Sequence, residues 1–446
     1  MSKYRRPRGK KPSPLKLGEE LLTLEITGVA HKGMGVAHHE GQVVFVRNAL
    51  QGEKVLARPY AKKGKILFAW ATKILKSSSQ RTASYWADAY LPEEAPAGTL
   101  LPIGGGELCH LTPAGSLAWK QEVLKDTLRR VGGSQTYLNA EKTFIDERPH
   151  FLQVETFPSG RSRVEFMISS NLRPAMYQVA SQTLQPVTQF PLATEAIRAL
   201  DFFSAQSRWQ KLWKPQDRIR VIDTLDGVFV RIGTQWHNHL GEAIELTEVT
   251  YPTEDGVGLK ASPDGFWQAH IEAPKLLTKT VKQLLRGVER KHVLELFSGS
   301  GLLSTIWLQD GAIASFTTVE GDPTATNMAR KNLADYIAEK NLPKRSYRIE
   351  GGYIDGAAVA KLLAEFPPAE LKNTLILADP PRQGLEQGLQ AELARHPGPV
   401  LLISCDPAAF ARDAAALCEH GKELKQLIGL DMFPGTYHFE TIGLFR

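Results

Sequence analysis

The spacing of apolar residues changes along the chain, and each change predicts a different kind of element. From Leu21 to about Leu75, short apolar runs alternate with glycine turns, which predicts a small β-barrel. Ser116 to Arg130 has apolar residues at helical spacing and is followed by a Gly-Gly pair, so we expect an amphipathic helix there. From about Phe144 to Glu248 the runs are mostly strand-like, with a helical stretch near Glu195 to Trp213. This middle region predicts an α+β domain.

From Ala273 onward, predicted strands alternate with predicted helices. The strands are His292–Phe297, Phe316–Glu320, Thr374–Ala378 and Val400–Ser404, and the helices are Pro274–Leu285, Leu302–Asp310, Pro323–Asn341, Ala357–Phe366 and Pro407–Gly421. This alternation predicts a doubly wound, largely parallel α/β sheet. We therefore expect four parts: a disordered basic tail (1–16), the barrel (17–76), the middle α+β domain (77–260) and the α/β domain (261–446).

Composition excludes several classes of protein. The chain has 446 residues, 42% of them hydrophobic, without an apolar run long enough to span a membrane. Its start lacks the apolar segment of a secretory signal, so we expect a cytoplasmic protein. The 3 cysteines include no C-x-x-C pair, which excludes a disulfide framework and a four-ligand zinc site.

The positive charge is concentrated at the start of the chain. The net charge is +6, and Met1 to Lys16 contains 7 Lys or Arg and no acid. Such a tail either attracts nucleic acid phosphates or simply increases solubility, and its composition favours neither. The turn Lys62-Lys63-Gly64-Lys65 leaves a similar choice between an oligonucleotide-binding barrel and a solvated hairpin.

The candidate chemistry lies at predicted strand ends, where ligands of open α/β sheets bind. Gly299 and Gly301 follow the first strand and would let the backbone approach a ligand closely. Glu320 ends the second strand, where a carboxylate can accept hydrogen bonds from a ribose. Together they indicate an adenosine-bearing cofactor. NAD stays open, as do a tight strand–helix turn for the glycines and a solvated acid for Glu320.

Asp379-Pro380-Pro381-Arg382 follows the third strand and predicts a stiff loop able to frame a planar ring. Cys405 follows the fourth strand and is either a nucleophile or a core cysteine. Because Pro407 opens a helix beside it, we expect the helix N-terminus to lower the pKa of the thiol. Cys418 lies inside that helix and fits the core.

His438 and Glu440 lie in the last strand-like run, Tyr437 to Phe445, where alternation places them on one face. A carboxylate there would serve as a base. A solvated edge is the alternative for such a pair near a terminus.

In this order, the segments resemble the RNA 5-methyluridine methyltransferase family, which uses S-adenosylmethionine and carries an N-terminal TRAM domain. The resemblance rests on the barrel and on Gly265–Gln268, Leu296–Gly301, Asp379–Arg382, Ser404–Pro407, Ala411–Asp413, Asp431–Pro434 and His438–Glu440. It implies an OB-like TRAM barrel and a C-terminal Rossmann-like class I methyltransferase domain.

The resemblance also implies roles for single residues. Cys405 would be the nucleophile and Glu440 the base. The residues that would contact S-adenosylmethionine are Gln268, Phe297, Gly299, Gly301, Glu320 and Asp379.

The expected activity is methylation of C5 of a specific uridine in RNA, with ribosomal RNA favoured over tRNA, by a monomer. The alternatives are an RNA cytosine-C5 methyltransferase and a catalytically idle RNA-binding protein on a methylase scaffold. Two departures from the family stand out. Cys109 alone cannot hold the iron–sulfur cluster of many members, so we expect no metal, and Leu302 replaces a frequent Asn after the glycine loop.

Overall fold

The computed structural model describes residues 15–204, 206–343 and 345–446. Residues 1–14, which hold most of the predicted basic tail, lie outside the described residues. The chain divides into two compact units: the first contains residues up to Thr112, Glu165–Pro191 and Asp201–Ile219, and the second contains Pro113–Val164, Leu192–Leu200 and Arg220–Arg446. Within the described part of the chain, none of the helices has the length and apolar character needed to cross a membrane.

The N-terminal region of the first unit forms a six-stranded sheet. Its strands are β1 (Leu22–Glu25), β2 (Gly28–Ala30), β3 (Met34–His39), β4 (Gln42–Arg47), β5 (Lys54–Lys63) and β6 (Ile66–Lys76). Their order is β1-β5-β6-β4-β3-β2, and β4 and β6 form the parallel pair. Small and β-branched side chains such as Val44, Val55 and Ala69 fill its core. The predicted strands are therefore present, and closure into a barrel stays a prediction.

The elements that follow belong to both units. In chain order they are α1 (Pro113–Arg130), α2 (Gly133–Glu141), β7 (His150–Gln153), β8 (Arg163–Ile168), β9 (Pro174–Tyr177), β10 (Leu184–Pro186), α3 (Glu195–Arg198), β11 (Arg218–Thr224), β12 (Gly227–Ile232), β13 (Gln235–His237), β14 (Ala243–Ile244), β15 (Val249–Pro252) and β16 (Gly258–Ala261). In the first unit, β8, β9 and β10 pair consecutively.

The prediction of a helical stretch near Glu195 to Trp213 was wrong. The described residues there form only α3 and a 3-10 turn at Arg208–Lys211. The apolar residues responsible for the helical pattern instead join an aromatic cluster in the first unit, where the ring of Phe202 lies 5.3 Å from Trp209 and 6.3 Å from Trp213. Aromatic packing determines the local structure here, and helix propensity does not.

The C-terminal part of the second unit alternates strands and helices as predicted. It contains α4 (Ala273–Leu284), β17 (His292–Leu296), α5 (Ser304–Gln309), β18 (Ser315–Glu320), α6 (Pro323–Glu339), β19 (Ser346–Gly351), α7 (Gly356–Leu363), α8 (Pro368–Leu371), β20 (Thr374–Ala378), α9 (Gln387–Arg395), β21 (Val400–Ser404), α10 (Pro407–Glu419), β22 (Leu424–Asp431) and β23 (Glu440–Phe445).

These strands form one sheet in the order β19-β18-β17-β20-β21-β23-β22-β7. Strands β17 to β21 are parallel, and β23 runs antiparallel to both of its neighbours. After β17 the chain adds β18 and β19 on one side and then returns to add β20 on the other. This reversal next to β17 is where a doubly wound sheet opens a crevice for a ligand.

Candidate active site

The glycine loop begins at this reversal point. Leu296 pairs with Ala378, so the residues that follow them, Phe297 and Asp379, leave the sheet side by side. The backbone N–H of Asp379 donates to the carbonyl of Leu296 at 3.3 Å, which ties the two strand ends together. The sheet thus brings the predicted residues Phe297 and Asp379 to one edge.

Left-handed backbone angles shape this loop. Phe297 has φ +63°, Gly299 has φ +56° and Gly301 has φ +93°. A Cβ placed on Gly299 would meet nothing within 4 Å, whereas one on Gly301 would lie 3.5 Å from Cβ of Ala329 on α6. Gly299 therefore faces open space suitable for a ligand, and Gly301 allows α6 to pack closely.

Glu320, at the end of β18, holds the same loop. Its carboxylate accepts the backbone N–H of Gly299 at 2.8 Å and that of Asp322 at 2.7 Å. Because a carboxylate offers about four acceptor positions, further positions remain for the hydroxyl groups of a ribose. The donor and acceptor chemistry of this cradle fits the adenosine part of S-adenosylmethionine.

Asn332 on α6 supports this cradle, and no sequence motif predicts that role. Its side chain is 2% exposed. The amide accepts the backbone N–H of Lys260 at 2.7 Å and donates to the carbonyls of Lys260 at 2.7 Å and Ser300 at 2.9 Å. This one amide therefore fastens the glycine loop to β16.

Leu302, the departure noted in the sequence, points into the core. It is 8% exposed and belongs to the main apolar cluster of the second unit, together with Leu303 and Ile306. The helix that follows starts at Ser304, two residues later than predicted. Leu302 thus contributes to the packing of the domain.

Two acidic residues lie next to the glycine loop, Glu295 in β17 and Asp379 directly after β20. Burial raises the pKa of Asp379 to about 7. Burial likewise raises the pKa of Glu295 to about 7, and the charge of Asp379 adds to that effect. Glu295 is 1% exposed and accepts hydrogen bonds from Ser304 Oγ at 2.8 Å and Trp307 Nε1 at 2.6 Å. These carboxyl groups are partly protonated near neutral pH.

Cys405 and Glu440 lie at the ends of neighbouring antiparallel strands. Ser404 of β21 pairs with Thr441 of β23, and Cys405 follows the first of these while Glu440 precedes the second. Both residues therefore lie at the same edge of the sheet, where the charge of Glu440 acts on the thiol. Burial and the charge of Asp379 raise the pKa of Glu440 well above its usual range.

The prediction that the helix N-terminus lowers the pKa of Cys405 was wrong. Burial, reinforced by the charges of Glu440 and Asp379, raises this pKa to about 12. The first amides of α10 do not favour a thiolate because the Asp406 carboxylate accepts the N–H groups of Ala408 at 2.9 Å and Ala409 at 3.0 Å. In the free protein the thiol is therefore protonated.

Arg382 contributes a positive charge to this site, a role that its sequence motif did not predict. Its charge lowers the pKa of both Cys405 and Glu440, against the stronger effect of burial. The loop that carries it turns at Gly384, where φ is +74° and an added Cβ would lie 2.4 Å from Asp413 Oδ2. No larger residue fits that turn without displacing Asp413.

Asp413 anchors the end of the same loop. Its buried carboxylate accepts the Leu385 N–H at 2.9 Å, Gln390 Nε2 at 2.7 Å and Arg412 Nη2 at 2.6 Å. Arg412 Nη2 also donates to the carbonyl of Gln383 at 2.7 Å. The Ala411–Asp413 segment, which is part of the family resemblance, therefore fixes the loop that contains Arg382.

Gln268 is half-buried and follows Trp267, whose ring stacks on Tyr251 at 4.7 Å. Phe266, two residues before Gln268, is 77% exposed. Arg163 Nη2 holds the turn before Phe266 by donating to the carbonyl of Gly265 at 2.7 Å. An exposed aromatic ring on a fixed turn is suited to stacking on a base. The role of Gln268 in cofactor binding stays a prediction.

The strand expected from Tyr437 begins only at Glu440. His438 therefore lies in the preceding loop, where its ring is 4.0 Å from Tyr437 and its backbone N–H donates to Thr436 Oγ1 at 3.2 Å. The alternation of a strand therefore does not place His438 and Glu440 on one face.

Cys109, in the first unit, is fully buried. No cluster of three or more potential metal ligands occurs among the described residues.

Comparisons with known proteins agree with this architecture. Residues 15–58 match the TRAM domain family, which confirms the predicted N-terminal TRAM domain. The chain is similar to an uncharacterized RNA methyltransferase of Bifidobacterium longum, with 27% identity over 95% of this chain and 96% of the relative. It is also 26% identical to a 23S rRNA (uracil(1939)-C(5))-methyltransferase of Shewanella sediminis over 98% of each chain.

Among solved structures, the chain resembles the tRNA (uracil-54, C5)-methyltransferase of Pyrococcus abyssi in complex with S-adenosyl-L-homocysteine. The TM-score is 0.66 at 17% identity, covering 95% of this chain and 100% of the other. At this identity the likeness is one of fold. It supports a multidomain chain that contains a methyltransferase fold.

Proposed function

We propose that this chain, which belongs to the S-adenosylmethionine-dependent RNA uracil-C5 methyltransferase family, methylates C5 of a specific uridine in RNA. The observation that carries the proposal is the placement of Cys405 and Glu440 at facing strand ends. The predicted cradle for the cofactor, made by Phe297, Gly299 and Glu320, lies at the reversal point of the same sheet.

The chemistry needs a nucleophile because C5 of uracil is too weak to attack a methyl sulfonium unaided. A bond from the Cys405 sulfur to C6 turns the ring into an enolate whose C5 is nucleophilic. S-adenosylmethionine supplies the electrophilic methyl group when bound. C5 then carries both a methyl group and a hydrogen, and removal of that hydrogen as a proton expels the sulfur and restores the ring.

We assign proton removal to Glu440. Burial raises the pKa of Glu440, which makes its carboxylate a stronger proton acceptor than an exposed one. The Cys405 thiol must itself lose its proton to solvent before attack, and the expelled sulfur takes up the proton held by Glu440 at the end of the reaction. The charge of Arg382 favours that loss and the negative charges of Asp379 and Glu440 oppose it. Protonation of Asp379 therefore assists formation of the thiolate, whereas Glu440 must be ionised when it later removes the C5 proton.

The proposed substrate is a uridine captured outside a base stack. Phe266 offers an exposed ring beside the turn held by Arg163, and a flipped or unpaired base stacks on such a surface. In the first unit, Phe45 and Phe68 lie 5.7 Å apart near the exposed Lys62 and Lys63. This aromatic and basic surface suits single-stranded RNA.

Ribosomal RNA is our preferred substrate, because a relative similar over nearly the whole chain is named a 23S rRNA methyltransferase. We also propose that the protein acts as a cytoplasmic monomer. Sedimentation of the purified chain with and without RNA tests the monomer. Mapping 5-methyluridine in RNA from cells with and without the protein tests the choice of substrate.

Transfer of labelled methyl groups to RNA tests the reaction itself, with the product identified by mass to separate 5-methyluridine from 5-methylcytidine. Cys405→Ala is expected to abolish transfer, and Cys418→Ala, which removes a buried thiol inside α10, serves as the matched control. Full activity of Cys405→Ala would refute the mechanism. Calorimetric titration with S-adenosylmethionine distinguishes the enzyme from a catalytically idle RNA-binding protein, because the idle protein would bind no cofactor at millimolar concentration.

A further inference from the structure

A buried ion pair joins α1 to the end of β22. Lys120 Nζ lies 2.6 Å from Asp431 Oδ1, and both side chains are 0% exposed. The carboxylate also accepts Gln153 Nε2 at 3.2 Å and the backbone N–H of Phe433 at 3.2 Å. Removing two charges from water offsets most of their attraction, so a buried pair adds little net stability. Its position points to a different task.

Hydrogen bonds lead from this pair to Glu440. Lys120 Nζ donates to the carbonyl of Phe433 at 3.1 Å. The same carbonyl accepts the backbone N–H of Thr436 at 3.2 Å and its hydroxyl at 3.0 Å. The Thr436 hydroxyl then accepts the backbone N–H of His438 at 3.2 Å, and Glu440 begins β23 two residues later. The segment before the base is thus fixed at several successive points.

We propose that the Lys120–Asp431 pair positions Glu440 for removal of the C5 proton. The inference rests on the function proposed above, in which Glu440 is the base. Lys120 acts through the segment from Asp431 to Glu440, so it is a positioning residue and not a catalytic one. A base must lie within hydrogen-bond reach of its proton, and a displacement of about 1 Å can slow a step on the order of a hundredfold.

The expected defect is specific to one step. Addition of Cys405 to C6 and transfer of the methyl group both precede proton removal. When Glu440 is misplaced, these earlier steps continue and the sulfur stays bonded to C6 of the methylated base. The protein therefore accumulates as a covalent complex with RNA, while loss of folding alone would lower complex formation and product together.

Two sets of changes test the proposal in the full-length protein. Lys120→Met/Asp431→Asn removes both charges and keeps an oxygen that can accept the Phe433 N–H. Thr436→Val breaks the next hydrogen bonds without leaving a buried charge. Lys422→Met is the matched control, because Lys422 is another buried lysine bonded to a carbonyl, that of Gly398 at 2.8 Å, near the opposite end of β21.

The substrate is RNA extracted from cells that lack the protein, and the cofactor carries a labelled methyl group. Denaturing gels follow the covalent complex over time, with Glu440→Gln as a reference. We expect the complex to persist on the order of tenfold longer in both test variants, with cofactor affinity close to wild type. Lys422→Met should release its product at the wild-type rate.

The outcomes separate the two proposals. Absence of 5-methyluridine with the wild-type protein overturns the proposed function and this inference with it. If the wild type is active, an unchanged lifetime of the complex in the test variants overturns the inference alone. Equal prolongation in Lys422→Met also overturns it. If Lys120→Met/Asp431→Asn fails to fold, Thr436→Val decides.

Discussion

The Asn332 amide offers a sharp test of how the cofactor loop is supported. Asn332→Leu keeps the size of the side chain and removes all of its hydrogen bonds to Lys260 and Ser300. Because Asn332 is buried, water cannot fully replace the lost hydrogen-bond partners. We expect a lower free energy of unfolding and a displaced glycine loop.

The magnitude follows from the groups left without partners. The Lys260 N–H and the carbonyls of Lys260 and Ser300 lose their protein partner, and a buried unsatisfied group costs about 1 to 3 kcal/mol. Because Lys260 is only half-buried, we expect a total loss in the free energy of unfolding of about 2 to 4 kcal/mol. If the loop must regain the position fixed by Ser300 when the cofactor binds, that contribution of about 1.4 kcal/mol is lost from binding and the affinity is roughly tenfold weaker.

Urea unfolding measures the first quantity, and calorimetric titration with S-adenosylhomocysteine measures the second. Asn327→Leu is the control, because Asn327 lies on the same helix, is exposed and accepts only the nearby Arg330 Nη1 at 2.8 Å among the bonds described. It should change stability by less than about 0.5 kcal/mol. A cofactor affinity within twofold of wild type in Asn332→Leu would show that the amide stabilises the fold without placing the loop.

Three further predictions concern buried groups around the site. Glu295 has a pKa raised from 4.5 to about 7 in the folded protein, so the folded state binds more protons between these values and stability falls as pH rises through this window. Glu295→Gln should remove about 3 kcal/mol of that decline, measured by urea unfolding from pH 5 to pH 8; an unchanged pH profile would contradict the assignment. Asp413→Ala should release the loop that contains Arg382 and lower kcat about tenfold with unchanged cofactor affinity. An equal loss of cofactor affinity would contradict an effect that acts through Arg382. Leu302→Asn should cost about 3 kcal/mol of stability because it buries an amide in the core, and tighter cofactor binding without that cost would show that the position faces the ligand.

The strands of the C-terminal sheet were the most predictable part of the fold. Thr374–Ala378 and Val400–Ser404 are buried along their whole length, and their continuous apolar runs mark a strand covered on both faces. By contrast, β22 was missed, because Lys425 and Gln426 interrupt its apolar pattern where the strand begins. The edge strand β7 was missed as well, since its pairing with β22 joins segments far apart in the chain.

The site was predictable where a short motif carried the chemistry. Phe297, Gly299 and Glu320 do lie together, because the ends of parallel strands meet at one edge of the sheet. Residues that hold the site in place through tertiary contacts showed no such sequence signal. Asn332 lies inside an ordinary amphipathic helix, and its role exists only because α6 passes over Ser300. Lys120 is likewise distant in the chain from the segment it holds.

Cys405 illustrates the limit of local reasoning. The sequence places it after a buried strand and before a helix, and this context alone favours a thiolate. The opposing charges come from Asp379 and Glu440, which reach the thiol from two other strand ends, and Asp406 occupies the amides of its own helix. The protonation state of the proposed nucleophile is therefore set by tertiary structure. A protonated thiol reacts slowly with electrophiles, which would suit the proposed mechanism, in which Cys405 forms a covalent bond only with the intended base.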